Sequence, residues 1–236
     1  MKIIKEYLKE TKLLNYSCDT ISNLIDSKGW KNLDEFNKIK ETYNFVRDEI
    51  LFGYNVCDEI PASKVLEDGY GQCNTKGILF MALLRALDIP CRIHGFTIDK
   101  KLQKGAMTGF IYNWAPKDIV HSFVEVFYKD KWYELEGFIL DKKYLERLQE
   151  KFRDCDGEFY GYGVAVKSLK DPVIEWNGNN TYIQSEVINN DFGVYDSPDE
   201  FFLKHKQEMS KFKKVLYRNI GRHLMNRNVN RIRREL

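Results

Sequence analysis

Leu33, Phe36, Ile39, Tyr43, Val46 and Ile50 recur at three- and four-residue steps, the stripe of an amphipathic helix. Asn32 stands in the N-cap position with Glu35 three residues on, the pattern of a capping box. The polar stretch GYNVCDEIPASK interrupts this pattern, and a second helix opens near Cys73 and runs to Leu87. That helix is apolar on most sides between Ile78 and Leu84, which marks it as the central buried helix. Asp88 and Pro90 end it, because proline disfavours helical backbone in the residue before it.

Beyond Pro90 the period shortens to two. CRIHGFTI, KDIVHSFVEVFY and WYELEGFI predict strands, the last two joined by a tight turn at Lys129-Asp130. The first two are separated by KKLQKGAMTGFIYNWAP, too long for a tight hairpin. DKKYLERLQEKF predicts a helix capped by Asp141, and VIEWNGNNTYIQ a hairpin turning at Asn177-Gly178. SPDEF starts a last helix, with Ser197 as cap, Pro198 first and Glu200 closing a capping box. Its stripe of Phe202, Met209, Phe212, Leu216 and Ile220 predicts a long docked helix that loosens after Met225. Helices first and consecutive strands afterwards predict an α+β fold, not alternating βαβ units. The expected organisation is one domain over residues 1–196 with a C-terminal helix, residues 197–236, packed on it. Gly161-Tyr162-Gly163 neither follows a strand nor opens a helix, so it is discarded as a phosphate loop.

With 236 residues, 43% hydrophobic and 31% charged, the chain has the composition of a soluble globular protein with a sizeable core. No apolar run approaches the roughly 20 residues that span a bilayer, and MKIIKEYLKETK lacks the apolar centre of a signal peptide. The five cysteines, Cys18, Cys57, Cys73, Cys91 and Cys155, are odd in number and form no C-x-x-C pair. Neither a disulfide framework nor a zinc site is indicated, and a reducing cytoplasmic location is expected. The net charge of +2 divides unevenly: residues 204–236 carry eleven Lys or Arg against Glu208 and Glu235, a balance of +9 that leaves −7 for the rest. That segment is either a solvated helix face attracted to an acidic body or a weak contact for polyanions.

GQCNTKGILFMALLRALDIPCRIHGF raises the question of chemistry. A cysteine at a helix start, behind a glycine, gains thiolate character from the helix dipole and from a nearby imidazolium; the competing reading is a small buried filler. His205 and His223 lie on the basic terminal segment, which leaves His94 and His121. The helix from Cys73 to Leu87 is roughly 21 Å long, so a returning strand needs six or seven residues to reach the level of the sulfur. His94 falls short of that level. His121 begins the next strand there. If Lys129-Asp130 is a two-residue turn, Glu136 lies one diagonal step from His121 on the same face, a plausible orienter for the imidazole. Glu125 sits further along, facing inward, and predicts an ion pair with Arg92 or Arg85.

The stretch ASKVLEDGYGQCNTKGILFMALLRALDIPCRIHGF resembles the cysteine block of the transglutaminase-like superfamily, with its Gly-x-Cys turn, Arg85-Ala86 pair and Ile89-Pro90-Cys91-Arg92 strand start. HSFVEVFYKDKWYELEG resembles the histidine block, and the likeness covers about 62–138. Residues 155–234 resemble an extension carried by a bacterial subgroup. The resemblance implies a papain-like core with Cys73 as nucleophile, His121 as base and Glu136 where the family usually places aspartate. It implies attack on an amide or ester carbonyl of a protein or peptide substrate, with a thioester intermediate and no cofactor or metal. Gln72 and Tyr70 are candidate oxyanion donors beside the Cys73 N–H, and Trp114 and Tyr112 in the insertion are candidates to line the substrate pocket. Hydrolysis is favoured over amine transfer because no calcium-ligand pattern is present. A peptide N-glycanase shares the core but needs zinc-binding cysteine pairs that are missing. A peptide-binding module without turnover is the main rival, and a nucleic-acid-binding protein, resting only on the basic C-terminal segment, is a third.

Overall fold

A computed structural model describes residues 2–184 and 188–234. The elements in chain order are α1 (Lys2–Glu6), α2 (Asp19–Lys28), α3 (Glu35–Asp48), β1 (Leu51–Phe52), α4 (Ala62–Asp68), β2 (Tyr70–Gly71), α5 (Cys73–Ala86) and β3 (Cys91–Asp99). There follow α6 (Gly109–Trp114), β4 (Asp118–Tyr128), β5 (Lys131–Leu135), α7 (Lys142–Lys151), β6 (Phe159–Gly161) and β7 (Val164–Val166). The chain then forms β8 (Ile188–Tyr195), α8 (Pro198–Lys204), α9 (Lys211–Leu216) and α10 (Arg222–Arg234).

The fold is α+β. An antiparallel sheet in the order β5-β4-β3-β8 packs against α5, which in turn is covered by α2, α3 and α4. The apolar run of α5 explains its place: Ile78 through Leu84 are all fully buried, as a helix with neighbours on every side requires. Lys129 and Asp130 both take positive φ, the backbone of a type I′ hairpin, and set Tyr128 opposite Lys131.

Several local expectations are corrected. The first long helix starts at Glu35, and its cap is Asp34, whose carboxylate accepts the Asn37 N–H at 2.9 Å; Asn32 ends a preceding 3₁₀ turn. The Asn177-Gly178 segment does not pair as a regular hairpin. Thr181 instead exchanges backbone hydrogen bonds with Glu134 and Glu136, extending the free edge of β5. The strand β8 had no signal, since INNDFGVY is polar and rides the sheet edge against β3. The expected ion pair of Glu125 does form, with Arg92 (2.6 Å) and with His94 beside it (3.0 Å), whereas Arg85 donates to the carbonyls of Lys9, Cys91 and Asp196.

The C-terminal segment departs most from its pattern. It is broken after Lys204, restarts at Ser210 and contains a π-helical turn at Tyr217–Gly221. The helical period is therefore not continuous, and Phe212 and Ile220 are 69% and 47% exposed while Phe202 is 2% exposed. Docking falls instead to the end expected to be loose. Met225, Val229 and Ile232 are buried, and Arg233 forks onto Asp141 at 3.0 and 2.7 Å while donating to the Phe52 carbonyl. At the other end of the segment, Phe201 lies over Gly95, where an added Cβ would meet its ring at 2.0 Å.

Candidate active site

Cys73 is the first residue of α5, behind the short β2. Gly71 is required there because a Cβ would come within 2.6 Å of Thr75 Oγ1, the same oxygen that accepts the Gln72 N–H at 3.1 Å. The neighbouring Asn74 fastens this helix start to β4: its amide donates to the Val120 carbonyl at 3.1 Å and accepts from Ser122 Oγ at 2.9 Å. Those contacts flank His121 on both sides.

His121 and Glu136 are both fully buried. Glu136 Oε1 lies 3.3 Å from His121 Nε2, while Oε2 accepts the backbone N–H groups of Ile183 (2.9 Å) and Gln184 (2.7 Å). The carboxylate is thus aimed by the loop after Thr181, whose own hydroxyl accepts the N–H groups of Glu136 and Gly137. With Nε2 turned to Glu136, His121 Nδ1 has no hydrogen-bond partner among the described residues. Burial disfavours the imidazolium, but Cys73 and then Glu136 outweigh it and push the His121 pKa up to about 10. The structure therefore brings Cys73, His121 and Glu136 together. His94 lies apart, held between Glu125 and Asp191.

Cys73 and His121 open onto a cavity of about 470 Å³. One wall is the insertion between β3 and β4, through Met107, Ile111 and Trp114. The roof is the C-terminal segment from Phe202 to Met225. Polar contacts fix this roof at several points. Gln207 accepts the Val120 N–H (2.9 Å) and donates to Asp118 (3.2 Å), Tyr217 donates to the Asn55 carbonyl, and Asn226 pairs with both backbone groups of Tyr54. Asn228 donates to Gly105 and Ala106 of the insertion.

Of the other sequence-selected residues, Gln72 and Trp114 line the cavity, and Tyr70 and Tyr112 do not. The Tyr70 hydroxyl meets Arg222 at 3.4 Å. Tyr112 lies under the Lys100 ammonium, 5.1 Å from its ring centre. The Gln72 amide is already engaged, since its oxygen accepts the Asn55 N–H at 3.0 Å and its nitrogen donates to Asp58 at 2.9 Å. Asp58 had drawn no attention in the sequence because it sits in an irregular loop. It lines the cavity beside Cys73, and burial raises its pKa despite the donors Gln72 and Asn74. Among the described residues no group of three His, Cys, Asp or Glu could hold a metal ion. No helix among the described residues is long and apolar enough to cross a membrane.

Residues 25–137 match the family model of the transglutaminase-like superfamily. A search of curated proteins returned no match. Among solved structures, the chain is similar to a protein from Cytophaga hutchinsonii described as a candidate cysteine protease, at 16% identity and a TM-score of 0.41. That likeness covers 60% of this chain, which spans 44% of the other.

Proposed function

On a chain that carries a transglutaminase-like core over residues 25–137, we propose a thiol-dependent acyl-transfer site acting on amide bonds, with hydrolysis as its outcome. The observation that supports it is the orientation of His121, with Nε2 held by a fully buried Glu136, Nδ1 without another partner among the described residues, and Cys73 raising the imidazole pKa. A nucleophile, a base and an orienter need that order.

In this reading His121 Nδ1 takes the Cys73 proton, and the thiolate adds to the amide carbonyl. The oxyanion is met by the Cys73 N–H at the start of α5, where the positive end of the helix dipole adds to the field. Collapse breaks the C–N bond, and the imidazolium returns its proton to the departing amine. Water then attacks the thioester, giving its proton to His121, and the acid leaves as Cys73 is regenerated. Gln72 acts as a second oxyanion donor only if its amide turns away from Asp58, and Tyr70, whose hydroxyl meets Arg222, does not line the cavity. An amine in place of water would give a transferase, and no contact in the cavity favours a particular acceptor. The glutamate in place of the usual aspartate is accommodated, because the loop at Ile183 and Gln184 holds the longer side chain against the imidazole. That contact favours turnover over a binding module. Five unpaired thiols fit a reducing, cytoplasmic setting.

The test needs no substrate. Iodoacetamide alkylation of all five cysteines, followed by mass spectrometry across pH, should show Cys73 reacting at least about tenfold faster than Cys18 near neutral pH. His121→Ala should abolish the advantage. Equal rates for Cys73 and Cys18 in the folded protein would sink the proposal.

A further inference from the structure

The roof of the cavity carries a charge pattern that the acyl-transfer chemistry does not require. Four cations of the C-terminal segment line it: Lys206, Lys213, Lys214 and Arg218. Lys206 is compensated by Glu59 at 3.0 Å. Lys213 donates to the Trp114 carbonyl at 3.1 Å, which orders the ammonium and leaves its charge in place. Lys214 and Arg218 form no ion pair or side-chain hydrogen bond among the described residues. The other carboxyl in the lining, Asp58, sits at the Cys73 end, engaged by the Gln72 amide at 2.9 Å.

The cations stand at the mouth. A shallow hollow beside the cavity shares Pro116, Lys206, Lys213 and Lys214 with it and is completed by Ser210 and by Glu208, whose carboxylate forms no ion pair with these lysines among the described residues. The π-helical turn at Tyr217–Gly221 belongs to the same arrangement, since Tyr217, Arg218 and Gly221 all line the cavity; such turns recur at functional sites. The interior is of the opposite character, with Val56, Met107, Ile111, Ile119 and Met225 forming apolar walls. Three uncompensated cations around one opening repel each other, and an anion placed between them relieves that repulsion. Outside residues 204–236 the chain sums to −7, so the segment that roofs the cavity carries the positive excess of the chain.

We infer that the substrate is a small amphipathic amide whose apolar acyl or aryl part fills the cavity and whose anionic group is held by Lys213, Lys214 and Arg218. The inference rests on Cys73 being the nucleophile. A volume of about 470 Å³ is within the range of small-molecule pockets. The insertion and the C-terminal segment wall it off, so the anion belongs to the same molecule as the reacting carbonyl. A carboxylate, sulfonate or phosphate would each satisfy the lip.

The experiment uses the full chain and three chloroacetamides that share a phenylpropyl body and end in a carboxylate, a neutral amide or a trimethylammonium group. Each forms an S–C bond at Cys73 and releases chloride, and the rate is read by mass spectrometry. The carboxylate probe should outpace the trimethylammonium probe by about tenfold or more at low salt, with the gap closing as salt rises. Lys214→Glu and Arg218→Glu should each reverse the order of the two charged probes. Equal rates for the two charged probes, at a Cys73 that still outpaces Cys18, overturn this inference and leave the acyl-transfer reading intact. The same holds if an acidic peptide bearing the warhead reacts faster than the small carboxylate probe. If Cys73 shows no advantage with any probe, the acyl-transfer reading falls and this inference falls with it.

Discussion

Replacing Glu136 by glutamine separates a catalytic orienter from a structural carboxylate, because the surroundings of the two oxygens differ. Oε2 accepts two backbone N–H groups at 2.9 and 2.7 Å, a task the glutamine oxygen can take over. Its NH₂ must then face His121 Nε2, where Glu136 Oε1 lies 3.3 Å away. An amide nitrogen there donates, so Nε2 has to accept and the imidazole proton moves to Nδ1, the nitrogen on the Cys73 side. A protonated Nδ1 cannot take the thiol proton.

The loss has two parts. A carboxylate and an imidazolium at about 3.3 Å interact by roughly 5 kcal/mol at an effective dielectric near 20, and the wrong tautomer compounds this. The equivalent change in Ser-His-Asp triads lowers kcat by about 10⁴. Alkylation has a lower ceiling, because an ordinary cysteine with a pKa near 8.5 is still about 3% thiolate at pH 7. Glu136→Gln should therefore slow iodoacetamide reaction at Cys73 by up to about 30-fold at pH 7, and turnover by about 10³ to 10⁴. The alkylation profile should shift to that of an ordinary thiol, with the far-UV spectrum unchanged. A folded variant whose alkylation rate and pH profile match the parent would refute the reasoning and reduce Glu136 to an anchor for residues 183 and 184.

Two further predictions concern the scaffold. Lys76 is fully buried with one donor contact, to the Arg47 carbonyl at 3.1 Å, and burial pulls its pKa down from 10.5 to about 7. Between those values the unfolded chain binds more protons than the folded one, so this residue makes stability rise with pH across that window; in urea unfolding at pH 7 and 9.5, Lys76→Met should lack that rise, which amounts to a few kcal/mol, and an unchanged difference between the two pH values would refute the assignment. Arg233→Met leaves Asp141 buried without its counter-ion, and should cost about 3–5 kcal/mol and lower Tm by about 10 °C; a loss under 1 kcal/mol would mean that α10 is held by its other contacts, apolar and polar, without need of this pair.

The site was legible where its geometry follows from short-range periods. The strand alternation and the two-residue turn at Lys129-Asp130 fix the distance from His121 to Glu136 without reference to the rest of the chain. The length of α5 sets which histidine reaches Cys73. What escaped depends on contacts distant in sequence. Asn74 and Asp58 are ordinary polar residues until β4 and the loop before α4 are brought beside α5. The edge strand β8 has no apolar alternation, since it owes its place to backbone pairing with β3. Arg233 carries the opposite of a burial signal; only the fold supplies the Asp141 carboxylate that makes its burial tolerable, holding that carboxyl below its usual range against the effect of burial.

The C-terminal segment shows why an apolar stripe read through a break misleads. The steps from Phe202 to Ile220 look regular in sequence, yet residues 205–210 form no helix and Ser210 caps a new one, its hydroxyl accepting the Lys213 N–H. Each restart resets the rotation of the apolar face. Phe212 and Val215 turn to solvent, while Lys213, Lys214 and Arg218 turn to the cavity mouth. A continuous helix would have placed the phenylalanine inward and the lysines outward, closing the cavity with an apolar lid. The breaks instead let one short segment serve two ends. Gln207 ties it to the start of β4 beside His121, and α10 anchors it at Asp141. Between these anchors the chain is free to present charge at the opening without disturbing the three buried side chains.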